Sequence, residues 1–93
     1  MRSYASIDRI EEHFAVCEVE LLEVKDSKSE AYLEKETEMM DILLEKIVDR
    51  IGNVNEGNIL VVQHDGKNVY DILCKDDEEK QRRIALIQAM MRK

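Results

Sequence analysis

The most nucleophilic and softest side chains in this sequence are His13, Cys17, His64 and Cys74. His13 and Cys17 are four residues apart, which places them on one face of a helix and also on one face of a strand. Structural zinc sites use close pairs such as Cys-x2-Cys, and the sequence has none. Cys17 with His64 as its base would make a thiol nucleophile. A reactive thiol needs an electropositive, partly exposed setting. Cys17 instead precedes Glu18 and lies in an apolar run, so burial should raise its pKa. These residues read as two reduced structural thiols in the core, Cys17 and Cys74, with His13 in a turn. No metal and no cofactor is expected.

Carboxylates come in adjacent pairs: Glu11 and Glu12, Asp76 and Asp77, Glu78 and Glu79. Glycosidase chemistry needs two carboxyls about 5–9 Å apart across a cleft, whereas neighbours in turns or at a helix start are explained by solvation and capping. Glycine occurs only at 52, 57 and 66, and no Walker-type loop, G-x-G-x-x-G or G-x-S-x-G is present. The expectation is a protein that is not an enzyme. Lys80, Arg82, Arg83, Arg92 and Lys93 form a basic set that can contact phosphates. Pairing with the acids before it and the helix dipole account for most of that set, and aromatics for stacking on bases are few.

The elements that carry these residues follow from periodicity. "FAVCEVEL", residues 14–21, alternates, with Ala15, Cys17, Val19 and Leu21 on one apolar face. "YASIDRI" supplies a preceding strand and "EEH" the tight turn, so the opening segment reads as a hairpin. Adjacent Asp8 and Arg9 should then point to opposite faces and be unable to pair, leaving Arg9 to clamp Glu11 or a neighbouring strand's carboxylate. Asp8, Arg9 and Glu11 are read as structural pins. "KDSKSE", 25–30, reads as a turn. Apolar residues at 40, 43, 44, 47, 48 and 51 followed by Gly52 fit either one helix over 31–51 or a strand over 31–42 and a short helix near 43–51. "GNVNEGN", 52–58, is a loop. "ILVVQ", "HDGK" and "NVYDILC" form a second hairpin, in which Tyr70, Ile72 and Cys74 should join the interior.

The last element, near 76–92, is a helix. Asp76 can cap it, Glu79 can complete a capping box, and Glu78–Arg82 and Glu79–Arg83 are spaced for ion pairs. Its apolar residues cover an arc of about 160° at 100° per residue. Ile84, Ile87 and Met91 are expected to dock on the sheet, leaving Leu86 and Met90 for a second surface. Leu86, Met90, Arg82 and Arg83 are therefore the candidate partner-binding residues.

Ninety-three residues suit a single domain, 1–93, with a modest core. One Phe and no Trp make that core aliphatic and methionine-rich. The net charge of −7 argues against a general nucleic-acid binder. Between Glu18 and Asp41 acids outnumber lysines nine to three, so an acidic middle precedes a basic tail. No run is apolar for the ~20 residues of a membrane span, and no signal-peptide pattern opens the sequence. With unpaired cysteines this leads to an expected cytoplasmic location.

"IDRIEEHFAVCE" (7–18), "VNEGNILVV" (54–62) and "EEKQRRI" (78–84) together resemble a bacterial family of small proteins, the domain of unknown function numbered three thousand and six. Asp8, Arg9 and Glu11 match its D-R-x-E opening, Ala15 and Val16 the A-V step, and Glu56 and Gly57 its E-G loop. Glu12 stands where a turn glycine is usual and Asp49 where a proline is usual, and the segment near 25–37 is longer. The resemblance implies no activity. It implies a strand-rich domain with a C-terminal helix, and it favours strand plus short helix over 31–51. The expected fold is thus α+β: a small curled antiparallel sheet or partly open β-barrel of about five strands, a short helix near 43–51 and a C-terminal helix near 76–92. The expected function is a non-enzymatic interaction module that binds a protein partner or forms a homodimer through the last helix. The alternative is an accessory nucleic-acid-binding small barrel that uses Arg82 and Arg83.

Overall fold

The structure, a computed structural model, describes residues 1–24 and 36–91. The chain runs β1 (Arg2–Glu11), β2 (Phe14–Glu20), β3 (Thr37–Leu43), α1 (Leu44–Ile51), β4 (Ile59–His64), β5 (Val69–Lys75) and α2 (Asp77–Met91). All five strands form one antiparallel sheet in the order β3-β2-β1-β4-β5. β4 returns beside β1, which makes the first four strands a Greek key. The segment over 31–51 resolves as strand plus short helix; the part of it before residue 36, and the turn read at 25–30, lie outside the described residues.

The inner face is set by alternation. Ala5 and Ile7 of β1, Ala15, Cys17 and Val19 of β2, Met40 and Ile42 of β3, Leu60 and Val62 of β4 and Ile72 of β5 make one cluster with Ile47 of α1. A flat five-stranded sheet separates its edge strands by about 19 Å, and a helix is only about 10 Å across. α1 nevertheless touches both edge strands, β3 and β5. The sheet is therefore curled, and α1 plugs the open seam between its edges. Arg50 fastens that plug, donating from Nε to the Ile72 carbonyl (3.0 Å) and lying 3.7 Å from Asp71.

Three bulges break the alternation that the sequence suggests. In β1 the register steps from Ile7↔Cys17 to Arg9↔Val16, leaving Asp8 as the extra residue. Asp8 and Arg9 are then both exposed and do pair, at 3.0 Å, contrary to the alternation argument. Arg9 also clamps Glu11 at 2.8 Å, as expected. The E-G loop meets this bulge: Gly57 N–H donates to the Ile7 carbonyl (2.8 Å), and Ile7 N–H donates to the Asn58 carbonyl (2.9 Å). In β5 the register skips Leu73 and then Tyr70. Val69 and Ile72 thus face the core, while Tyr70 and Cys74 are exposed. Cys74 as a core thiol is corrected accordingly.

The turns explain themselves. Glu12–His13 joins β1 to β2, and no non-glycine residue among those described has positive φ, so this turn does not need the glycine usual in the resembled family. Gly52 ends α1 at φ +87°, a left-handed conformation costly for side chains, with its N–H on the Val48 carbonyl (2.9 Å). In the second hairpin the Asp65 carboxylate accepts from the Lys67 and Asn68 N–H groups (2.9 and 2.8 Å). Those two bonds hold its pKa below the ordinary carboxylate value.

Candidate interaction surfaces

Among the described residues His13, Cys17, His64 and Cys74 do not assemble into one site. Cys17 is fully buried, and burial, with Asp41 nearby, pushes its thiol up to about 12. That makes it inert, as the sequence indicates. Among the described residues no group of three His, Cys, Asp or Glu side chains is placed to hold a metal ion. The nearest approach to a catalytic pair is one the sequence did not reveal. His64 Nε2 lies 2.9 Å from Ser3 Oγ, and both residues are buried. However, His64 Nδ1 accepts the Gly66 N–H (3.0 Å), so the neutral ring carries its proton on Nε2 and donates to Ser3. A base for a serine needs the opposite polarity. This pair is core hydrogen bonding.

The outer face of the sheet carries α2. Asp76 N–H donates to the Ile59 carbonyl of β4 (2.7 Å), and the Asp76 carboxylate caps the helix by accepting the Glu79 N–H (2.9 Å). Glu79 does not close a capping box. Its two oxygens accept instead from Arg82 Nε (2.9 Å) and Arg83 Nε (2.6 Å). Arg83 also bonds to Glu20 of β2, and its guanidinium lies 5.1 Å from the centre of the Tyr4 ring of β1. Glu79, Arg83 and Glu20 are all buried. Further along, Ile87 borders a cavity of about 220 Å³ with Ser6, Glu18 and Thr37. The helix therefore crosses the sheet from β4, over β1 and β2, to the edge strand β3.

This docking corrects three expectations. The side of α2 against the sheet is anchored by charge, through Glu79 and Arg83. Ile84, Ile87 and Met91, expected to dock, are 38%, 45% and 79% exposed, while Leu86 is half-buried and Met90 is 49% exposed. Arg83, read with Arg82 as a partner contact, is buried in the fold, while Arg82 stays exposed and pairs with Glu79 (2.8 Å) rather than Glu78. At 100° per residue Ile87 and Met90 lie within about 40° of Arg83 around the helix. They continue the docked side, but the sheet ends beneath them, so exposure rises along the distal half.

A second apolar surface lies at the other end of β2 and β3. Phe14 and Leu43 face each other across the two strands, and with Val48 of α1 they are 42%, 39% and 39% exposed. They line a groove of about 500 Å³ whose polar border is Glu12, His13 and Glu45. The Leu44 N–H donates to the His13 carbonyl (2.8 Å) and ties the β1–β2 turn to the start of α1. This groove joins residues that no sequence pattern links. Its signal was the chain's one phenylalanine at the first position of a strand, on the face opposite Cys17.

Among the described residues no helix is long and apolar enough to cross a membrane. Comparison with protein-family models, with curated proteins and with solved structures found no match.

Proposed function

We propose that this chain is a non-enzymatic interaction module that binds a second copy of itself or another protein through the distal half of α2. The observation that carries this reading is the run of exposed Ile84, Ile87, Met90 and Met91 on a helix whose polar start is locked to the sheet. Contiguous apolar surface of this kind marks an interaction site. The free thiols of Cys17 and Cys74 support a reducing, cytoplasmic setting. Membership of the family with the D-R-x-E opening remains part of the proposal: its Asp8, Arg9 and Glu11 form one ion-pair group beside the Glu56–Gly57 loop.

The arrangement weighs against nucleic acid. Partly open Greek-key barrels of the OB type bind oligonucleotides on the face of strands 2 and 3. Here that face carries Glu18 and Asp41, and the arginines of α2 are held by Glu79 and Glu20. The test is sedimentation velocity and partner capture with Ile87→Glu and Met90→Glu together. Loss of self-association or of a captured protein is expected. A monomer in both forms, with capture unchanged, would remove the reading.

A further inference from the structure

We propose that the partner is a second copy of this chain, joined by antiparallel pairing of the two β3 edge strands, with the distal half of each α2 laid over the Phe14–Leu43–Val48 groove of the other. This rests on α2 being the interaction element. Three observations specify the rest.

The first is the edge. β3 pairs with β2 over all seven residues without a bulge, and among the described residues it has no other strand partner. A regular edge strand is a template for another strand. β5, by contrast, is bulged twice and its Ile72 carbonyl is capped by Arg50.

The second is register. A two-fold axis at Met40 sets Thr37 against the second copy's Leu43, Glu38 against its Ile42 and Met39 against its Asp41. No acid opposes an acid, although β3 holds two of them. That matters in a chain of net charge −7, where closer contacts would add to the repulsion. Ionic strength near 0.15 M screens the remaining charge beyond about 8 Å.

The third is the overhang. α2 leaves the sheet at Thr37, with Met90 and Met91 beyond it. Phe14 and Leu43 lie at the far end of β2 and β3, about 20 Å from Glu20 and Thr37. Within one copy, α2 crosses at the wrong end to cover them. In the two-fold pair, Thr37 of one copy lies beside Leu43 of the other, and both belong to the outer face that α2 crosses. The overhang of each helix thus falls on the other's groove. The chemistry matches: flexible methionines suit an irregular apolar groove, and the two residues that follow α2 in the sequence, Arg92 and Lys93, are opposite in charge to Glu12 and Glu45 of the groove border. Neither of those glutamates is in an ion pair among the described residues. The contact is reciprocal, so it closes as a dimer rather than growing into a filament.

Met39→Cys with Asp41→Cys, in a Cys74→Ser background, tests the register. Facing positions on an antiparallel pair bring Cβ atoms to about 4.5–5.5 Å, near disulfide range. Mild oxidation is expected to give a covalent dimer on a non-reducing gel, and Val48→Glu alone is expected to weaken the non-covalent dimer about tenfold or more. Both positions on β3 are exposed, so the variant keeps the fold. A dimer lost on changing Ile87 and Met90, but giving no cross-link and indifferent to Val48→Glu, would overturn this arrangement and leave the role of α2 standing. A monomer that still captures another protein through α2 would do the same. A monomer with no α2-dependent capture would remove both.

Discussion

At the scale of single residues, His64 ties stability to pH. It is buried as the neutral ring, with Nδ1 and Nε2 both occupied, and burial lowers its pKa below 6.5. As pH falls through 6.5 the unfolded chain takes up a proton that the folded chain still refuses. In that window the unfolded state binds more protons, so stability drops as pH falls, by up to about 1.4 kcal/mol per pH unit, until the folded ring protonates. Above 6.5 the contribution is complete. Urea midpoints measured from pH 7.5 to 5 should therefore decline, and His64→Gln should flatten the decline by one proton. A midpoint that holds steady down to pH 5.5 in the unaltered protein would refute this. His64 was not readable as buried, because no residue near it in sequence shows the distant partner that satisfies its ring. In the interior its ring meets Ser3, 61 residues earlier in the chain. The pairing of Asp8 with Arg9 was unreadable for a related reason. A bulge demands no particular residue type, and it reverses the face of what surrounds it. Cys17 was legible because its strand alternates without interruption through Val19.

At the scale of elements, local signals located the strands, α1 and the Asp76 cap well. What they missed was how α2 is anchored. An arc of apolar residues implied apolar docking, yet the anchor is Arg83 between Glu20 and Glu79, over Tyr4. No one-dimensional pattern pairs position 20 with position 83. Breaking a buried ion pair costs more than the pair contributes, because a charge is left without compensation. Arg83→Met removes the arginine that buried Glu20 and Glu79 share and should cost about 3–5 kcal/mol in urea unfolding. Glu20→Gln keeps the shape and leaves Glu79 on the arginine, and should cost less, about 1–2 kcal/mol. If the two substitutions cost the same, or the order is reversed, the arginine is not the centre of the anchor.

At the scale of the whole molecule, the open seam decides how the sheet holds its curl. Closure by hydrogen bonds would need β3 and β5 to pair, and they do not. The curl is held instead by side chains, and α1 supplies them. Ile47 is its one buried residue, with Leu44 and Ile51 partly buried beside it. The curled form was expected, whereas the dependence on one helix was not, since nothing in residues 44–51 says which strands they will touch. Ile47→Ala removes the middle of the plug and should cost about 2–5 kcal/mol. The loss should also be uneven. β1 and β4 are paired on both sides and keep their ladders, while β5 has one neighbour and two bulges. Native-state hydrogen exchange of the variant should show β5 amides losing protection ahead of those in β1 and β4. Equal loss in all five strands would mean that the seam and the sheet unfold as one unit, and that α1 is packing like any other rather than the wedge that keeps the edges apart.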